Sequence, residues 1–406
     1  MKLGTQTGIG QQHSQGKAGT LCRLLVLSIA GTGLVCSAFA GPREQARRIH
    51  DRLAGVPPAE AILSAMEADV DPFQNNNPLA AAYTAMDNPN FYNVTLKNFA
   101  APWTNRDQSV FVPLNDYIAT VIGMIRDEVP FNTLLSADIL YVGASGLPIA
   151  IYSGSSNQHY ADIEAQGLDM SDPVILQQRV QSSLPGSVPA SATAGIMTSR
   201  AAAEAFFVAG TNRAMFRFTM LNHMCNDMQQ VHDVKRPPDR IRQDVSRSPG
   251  GDSRLFLNNC IGCHSGMDPL AGAFAYYDYN DVSGNIEYTP GAVQPKYFNN
   301  KDNFPFGYVT TDDGWENYWR SGQNRFLGWD GSLPGSGNGA RSLGRELAAS
   351  DAFASCQIRK VFKAVCLREP EDISDRTQVA AMVATFKTGY SMKRAFADAA
   401  VYCMGQ

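Results

Sequence analysis

Cys260-Ile261-Gly262-Cys263-His264-Ser265-Gly266-Met267-Asp268-Pro269-Leu270 is the stretch around which the rest of this chain is organised. Its first five residues have the spacing Cys-x-x-Cys-His, the attachment signature of c-type haem. Two thiols that add across the vinyl groups of one porphyrin must sit about one helical turn apart. The adjacent imidazole then lies under the iron as the proximal ligand. The motif thus predicts a helix carrying Cys260 and Cys263 as the covalent haem anchors and His264 as the metal ligand. It occurs once in 406 residues, which predicts one haem c per chain. Two other chemistries use paired cysteines. A thioredoxin-like dithiol does not need the histidine and follows a strand, and no strand pattern precedes Cys260. Structural zinc wants four ligands, commonly as two spaced pairs, and there is no second Cys-x-x-Cys.

Haem attachment of this kind takes place outside the bacterial cytoplasm, so an export signal is expected. Residues 1 to 40 contain Lys2, Lys17 and Arg23 and no acidic residue, followed by an apolar run from Leu24 to Val35. Ala38-Phe39-Ala40 supplies a small-x-small cleavage site before Gly41. The run is too short to span a bilayer. Cys36 offers an alternative, lipid attachment, but Val35 is a poor residue to precede it. Cleavage after Ala40 is preferred, which predicts a periplasmic or extracellular protein without a transmembrane segment.

Loss of Lys2, Lys17 and Arg23 takes the net charge from −4 to −7. No basic block argues for nucleic acid and no basic amphipathic helix for a membrane surface. A mildly acidic surface suits a basic redox partner protein and is equally an ordinary solubility device. Cleavage also removes two of the eight cysteines, and the haem takes two more, leaving Cys225, Cys356, Cys366 and Cys403. An even number in an oxidising compartment points to disulfides, with buried thiols as the alternative. If Cys356 and Cys366 share a helix, ten residues separate them by about 15 Å, too far to bond, and each pairs with Cys225 or Cys403.

The fold class read from periodicity is mainly α. A helical N-terminal domain is expected over 41–190 and a helical, cytochrome c-like haem domain over 191–406. In the first, Pro57-Pro58 opens a helix with Ile62, Leu63 and Met66, and Asn77-Pro78 precedes an alanine-rich one. Leu114, Ile118, Val121, Ile122 and Ile125 lie on one helix face, and Pro130 stops that helix. Residues 143–167 read as turn-rich, with His159 in a solvated loop, and 182–191 as a linker or exposed loop. In the second part, helices are expected over 201–228 with a break at Gly210, then before Cys260, and again around Phe353–Val365, Val379–Phe386 and Met392–Ala399. Residues 284–340 are rich in Gly, Pro, Asn and aromatics and read as an irregular or β-hairpin insertion over the haem domain. Asp278, Asn280, Asp281 and Asn285 lack the glycine and terminal glutamate of a calcium loop and read as a turn.

A resemblance attaches to these residues. Cys260-x-x-Cys263-His264 followed by Met267-Asp268-Pro269-Leu270, Ala273-Phe274 and Tyr277-Asp278 resembles the haem segment of planctomycete-type cytochrome proteins, which are built from domains of unknown function. Downstream, Leu347-Ala348-x-Ser350, Phe353-Ala354-x-Cys356 and Arg368-x-Pro370 are similar to the same group. Upstream, Phe91-Tyr92, Leu114-x-Asp116-Tyr117 and Phe131-x-x-Leu134 with Asp138 resemble its preceding helical domain. The long insertion departs from that form. The resemblance implies a c-type cytochrome and names no substrate.

What the iron does depends on its sixth ligand. Candidates are His223, His232, Met220, Met224, Met382, Met392 and Met404. The two histidines also read as surface residues and the methionines as core. Met267, at i+3 from His264, points to the proximal side, where it packs under the haem, with Asp268-Pro269 ending the helix. With the sixth position filled, the chain is an electron-transfer protein with a redox partner and no substrate of its own. No nucleophile or acid–base pair can be identified, which favours this reading. With the position open it is a haem oxidoreductase of peroxidase or oxygenase type. That alternative is motivated by size, since a carrier needs only about 100 residues. In it, Trp315, Trp319 and Trp329 of the insertion wall a distal pocket. A third reading is a haem-bearing assembly subunit.

Overall fold

Capping chemistry starts six of the helices of this protein. Asn77, Asn115, Ser199, Ser350, Asp372 and Ser391 each accept, through the side chain, a backbone N–H from the first turn that follows. Such caps satisfy donors that have no intrahelical partner. The computed structural model describes residues 40–208 and 210–405. The predicted export signal lies outside them, apart from Ala40.

The chain is mainly α, with fourteen helices and three small two-stranded sheets among the described residues. The first half contributes α1 (Pro42–Ala54), α2 (Glu60–Val70), α3 (Pro78–Met86), α4 (Lys97–Ala100), α5 (Asp116–Arg126) and α6 (Gln158–Ala165). The second contributes α7 (Arg200–Phe206), α8 (Arg213–Met224), α9 (Ser253–Leu255), α10 (Ile261–Ala271), α11 (Gly339–Ala348), α12 (Asp351–Cys366), α13 (Ile373–Gly389) and α14 (Met392–Tyr402). The strands β1 (Ile139–Gly143) and β2 (Leu176–Val180) pair antiparallel, with Ile139 opposite Val180. So do β3 (Tyr277–Asn280) and β4 (Asn285–Tyr288), and β5 (Gly314–Glu316) and β6 (Ser336–Asn338).

One hydrophobic cluster runs through both halves, from Ile49 and Leu53 of α1 to Phe396 of α14. The first and last described helices meet there: α14 packs on α1, α3, α12 and α13, and α12 on α8. The two parts expected on either side of residue 190 therefore share a core. At its centre lies α5, whose eleven residues are all buried. Periodicity had marked only one apolar face of it. The polar residues of α5 are buried because they are bonded: Asp116 Oδ2 accepts the Arg200 N–H at 2.6 Å and Thr120 Oγ1 donates to the Asp116 carbonyl.

Two local readings are corrected. Residues 158–165 form α6, and His159 is buried there, its Nε2 accepting the Gly143 N–H at 2.8 Å and its Nδ1 2.6 Å from the Ala150 carbonyl oxygen. It is a structural link between α6 and β1, and a composition-based reading misses that link because the partners are backbone groups. Second, α10 does not stop at Asp268-Pro269 but continues to Ala271. Pro269 thus lies inside the helix, and Arg242 Nη2 bonds the Asp268 carbonyl just before it at 3.0 Å.

The disulfides are Cys225–Cys356 and Cys366–Cys403, with Cα separations of 5.3 and 5.5 Å. Cys356 and Cys366 both lie on α12, so neither can reach the other, as the helical geometry requires.

Candidate functional site

The motif enters α10 through a distorted turn. After α9, residues Phe256–Cys260 form a π-helical turn, and Cys260 then serves as the N-terminal flank of α10. Helix, not strand, precedes the thiols. At 3.6 residues per turn, Cys260, Cys263 and His264 share one face and Gly262 and Gly266 share the opposite one. Cys260, Cys263 and His264 are part-exposed, while Gly262 and Gly266 are buried.

The glycine face explains its own composition. A Cβ on Gly262 would lie 2.3 Å from His232 Nε2, and one on Gly266 2.0 Å from Trp319 Nε1. The segment after α8 and the insertion therefore press flat on the back of α10. Asp233 N–H donates to the Gly262 carbonyl at 2.9 Å, and the Cys263 thiol points to the Met228 carbonyl at 3.5 Å. Trp319 is fully buried, Trp329 Nε1 donates to its carbonyl, and Trp315 Nε1 donates to Ser342 Oγ at 2.6 Å. Arg320 grips Glu346 of α11 with two bonds of 2.7 and 2.8 Å. Trp319 thus anchors the insertion behind the motif helix rather than walling a space in front of it.

His264 is held from a buried ionic cluster. His264 Nδ1 is 3.1 Å from Asp268 Oδ1, one turn on along α10. The Asp268 side chain is wholly buried. Arg213 of α8 donates Nε to Oδ1 at 2.6 Å and Nη2 to Oδ2 at 2.9 Å, and the same guanidinium grips Asp244 at 2.6 and 2.8 Å. Arg242 adds its Nη1 at 3.8 Å and stacks over Tyr297. Burial opposes ionisation of Asp268, but Arg213 and then His264 hold its carboxyl well below the usual carboxylate range. An ionised carboxylate only accepts, so this contact assigns the proton to Nδ1 and, in the neutral ring, the lone pair to Nε2.

Cys260 and Cys263 are not disulfide-bonded. Burial, with Asp227 and Cys260 close by, raises the Cys263 thiol above its ordinary value, so nothing here activates it as a redox nucleophile. Free thiols a turn apart on an accessible face, beside an imidazole whose far nitrogen is already engaged, form a donor set that fits covalent haem c.

The candidate sixth ligands are distributed differently. Met220, Met224, Met382 and Met392 are core residues, each at most 2 % exposed. His223 is no surface residue: it is 1 % exposed, with Nε2 2.7 Å from the Tyr117 hydroxyl and Gln357 beside Nδ1. Burial, then Lys360, pushes its pKa well down. His232 sits behind α10, on the side away from His264. Met404 is part-exposed beside α1, where Arg48 bonds its carbonyl. None of the seven shares the face of the motif. Arg213, Arg242 and Asp244 were not singled out from sequence, and Asp268 was read only as part of the Met-Asp-Pro stretch and a helix end. The i, i+4 spacing of His264 and Asp268 was a usable signal; Arg213 and Asp244 carried none. Comparison with family models, curated proteins and solved structures finds no match.

Proposed function

We propose that this chain is an exported monohaem c-type cytochrome that transfers electrons to or from a redox partner protein. Cys260 and Cys263 are the anchors: each thiol adds its S–H across one vinyl group, so a thioether forms and no atom is lost. His264 Nε2 is the proximal ligand. Bound there, the group supplies a one-electron Fe(III)/Fe(II) couple. The observation that carries the reading is the motif's geometry, with thiols and imidazole on one part-exposed face of α10 and His264 Nδ1 tied to Asp268. A site at the surface brings a redox edge within reach of a partner. Two disulfides elsewhere in the chain support an oxidising compartment.

A second reading, a haem oxidoreductase with an open sixth position, is favoured by one observation: the candidate distal side chains lie in the core, behind α10 or, for Met404, beside α1. One experiment tests both. The mature chain, produced in a host with working cytochrome c maturation, is expected to gain the mass of one haem and to give a c-type haemochrome spectrum. A product without added macrocycle overturns the proposal. Rapid carbon monoxide binding by the reduced protein favours the second reading over the first.

A further inference from the structure

We propose that Asp268 is a positioning residue that sets the redox balance of the site through the His264 ring; this rests on the haem reading above. The cluster is built for more than charge neutralisation. A carboxylate with no exposure, gripped by two bonds from Arg213 and approached by Arg242, has its charge compensated and its position fixed. The oxygen it offers to His264 is Oδ1, 3.1 Å from Nδ1, which Arg213 Nε also holds at 2.6 Å. A carboxylate accepting the Nδ1 proton locks the tautomer, stops the ring from rotating and makes Nε2 a stronger donor. A stronger donor stabilises the ferric ion over the ferrous one, because the higher charge gains more. Asp244 makes a different contribution. It orients the Arg213 guanidinium from the far side at 2.6 and 2.8 Å without a bond to His264, and so separates the two roles.

The experiment compares wild-type, D268N, D268E and D244N mature proteins for haem content and then for midpoint potential by redox titration. Asparagine keeps the shape and an accepting oxygen but loses the charge. In haem-loaded D268N, the ferrous-to-ferric ratio at a given applied potential is expected to rise at least tenfold, about 59 mV for a one-electron couple. D268E is expected to restore part of the shift and D244N to show little of it. An unchanged potential in D268N with haem attached overturns the inference, as does an equal shift in D244N. If D268N does not fold, wild-type ferric protein decides: the His264 Nδ1 proton is expected to exchange slowly with deuterated solvent, and loss within the dead time overturns the inference. Absence of haem from the wild type is a separate result and removes the underlying reading as well.

Discussion

Removing the Cys225–Cys356 disulfide is expected to cost more stability than removing Cys366–Cys403. The first closes a loop of 131 residues and the second one of 37. Chain entropy lost by the unfolded state gives about 5 kcal/mol for the longer loop and about 4 kcal/mol for the shorter. Side-chain loss hardly alters the order, because Cys356 and Cys366 are both buried and replacement by alanine empties similar space. Cys225 has a left-handed φ of 52°, but alanine bears the same backbone penalty as cysteine, so it cancels. The longer bridge also fixes the end of α8, from which residues 226–233 run to the motif and supply the Met228 and Asp233 contacts on α10. Equilibrium urea unfolding of the C225A/C356A and C366A/C403A proteins measures both costs, and C225A/C356A should further disturb the environment of Cys263. A reversed order, with C366A/C403A the costlier by more than about 1 kcal/mol, refutes the loop argument.

C260A and C263A are each expected to leave one thioether, and the double variant none, as read by whether the chromophore survives acid–acetone extraction. Stability should also fall with acidity. The folded His223 ring stays neutral where the unfolded ring takes a proton, so its contribution is full above about pH 6.5 and is lost below it, at up to about 1.4 kcal/mol per pH unit. Urea unfolding at several pH values should show that slope reduced in H223Q, although loss of the Tyr117 contact lowers the whole curve. G266A drives a Cβ into the Trp319 indole and is expected to cost about 1–3 kcal/mol by overpacking, with a change in tryptophan emission. An unaltered melting temperature for G266A contradicts the close packing described behind α10.

Much of the architecture could be read along the chain because local chemistry writes it. Asn77-Pro78 and Ser350 are caps, the break near Gly210 separates α7 from α8, and ten residues on one helix decide the pairing of Cys356 and Cys366. His159 and His223 were misjudged for a common reason. Whether a polar side chain is solvated or buried depends on partners brought from elsewhere, such as Tyr117 for His223, 106 residues away.

The Cys-x-x-Cys-His spacing, its helical setting and the mainly α character follow from the sequence alone, because thiol spacing, capping and apolar period act over a few residues. Tertiary structure decided which side of α10 is free. Two glycines mark a helix face as thin, but only the folded chain lays His232 and Trp319 on it and leaves Cys260, Cys263 and His264 part-exposed. It also assembled Arg213, Asp244 and Asp268 from points up to 55 residues apart, since a buried carboxylate is stable only where folding delivers its counter-charge.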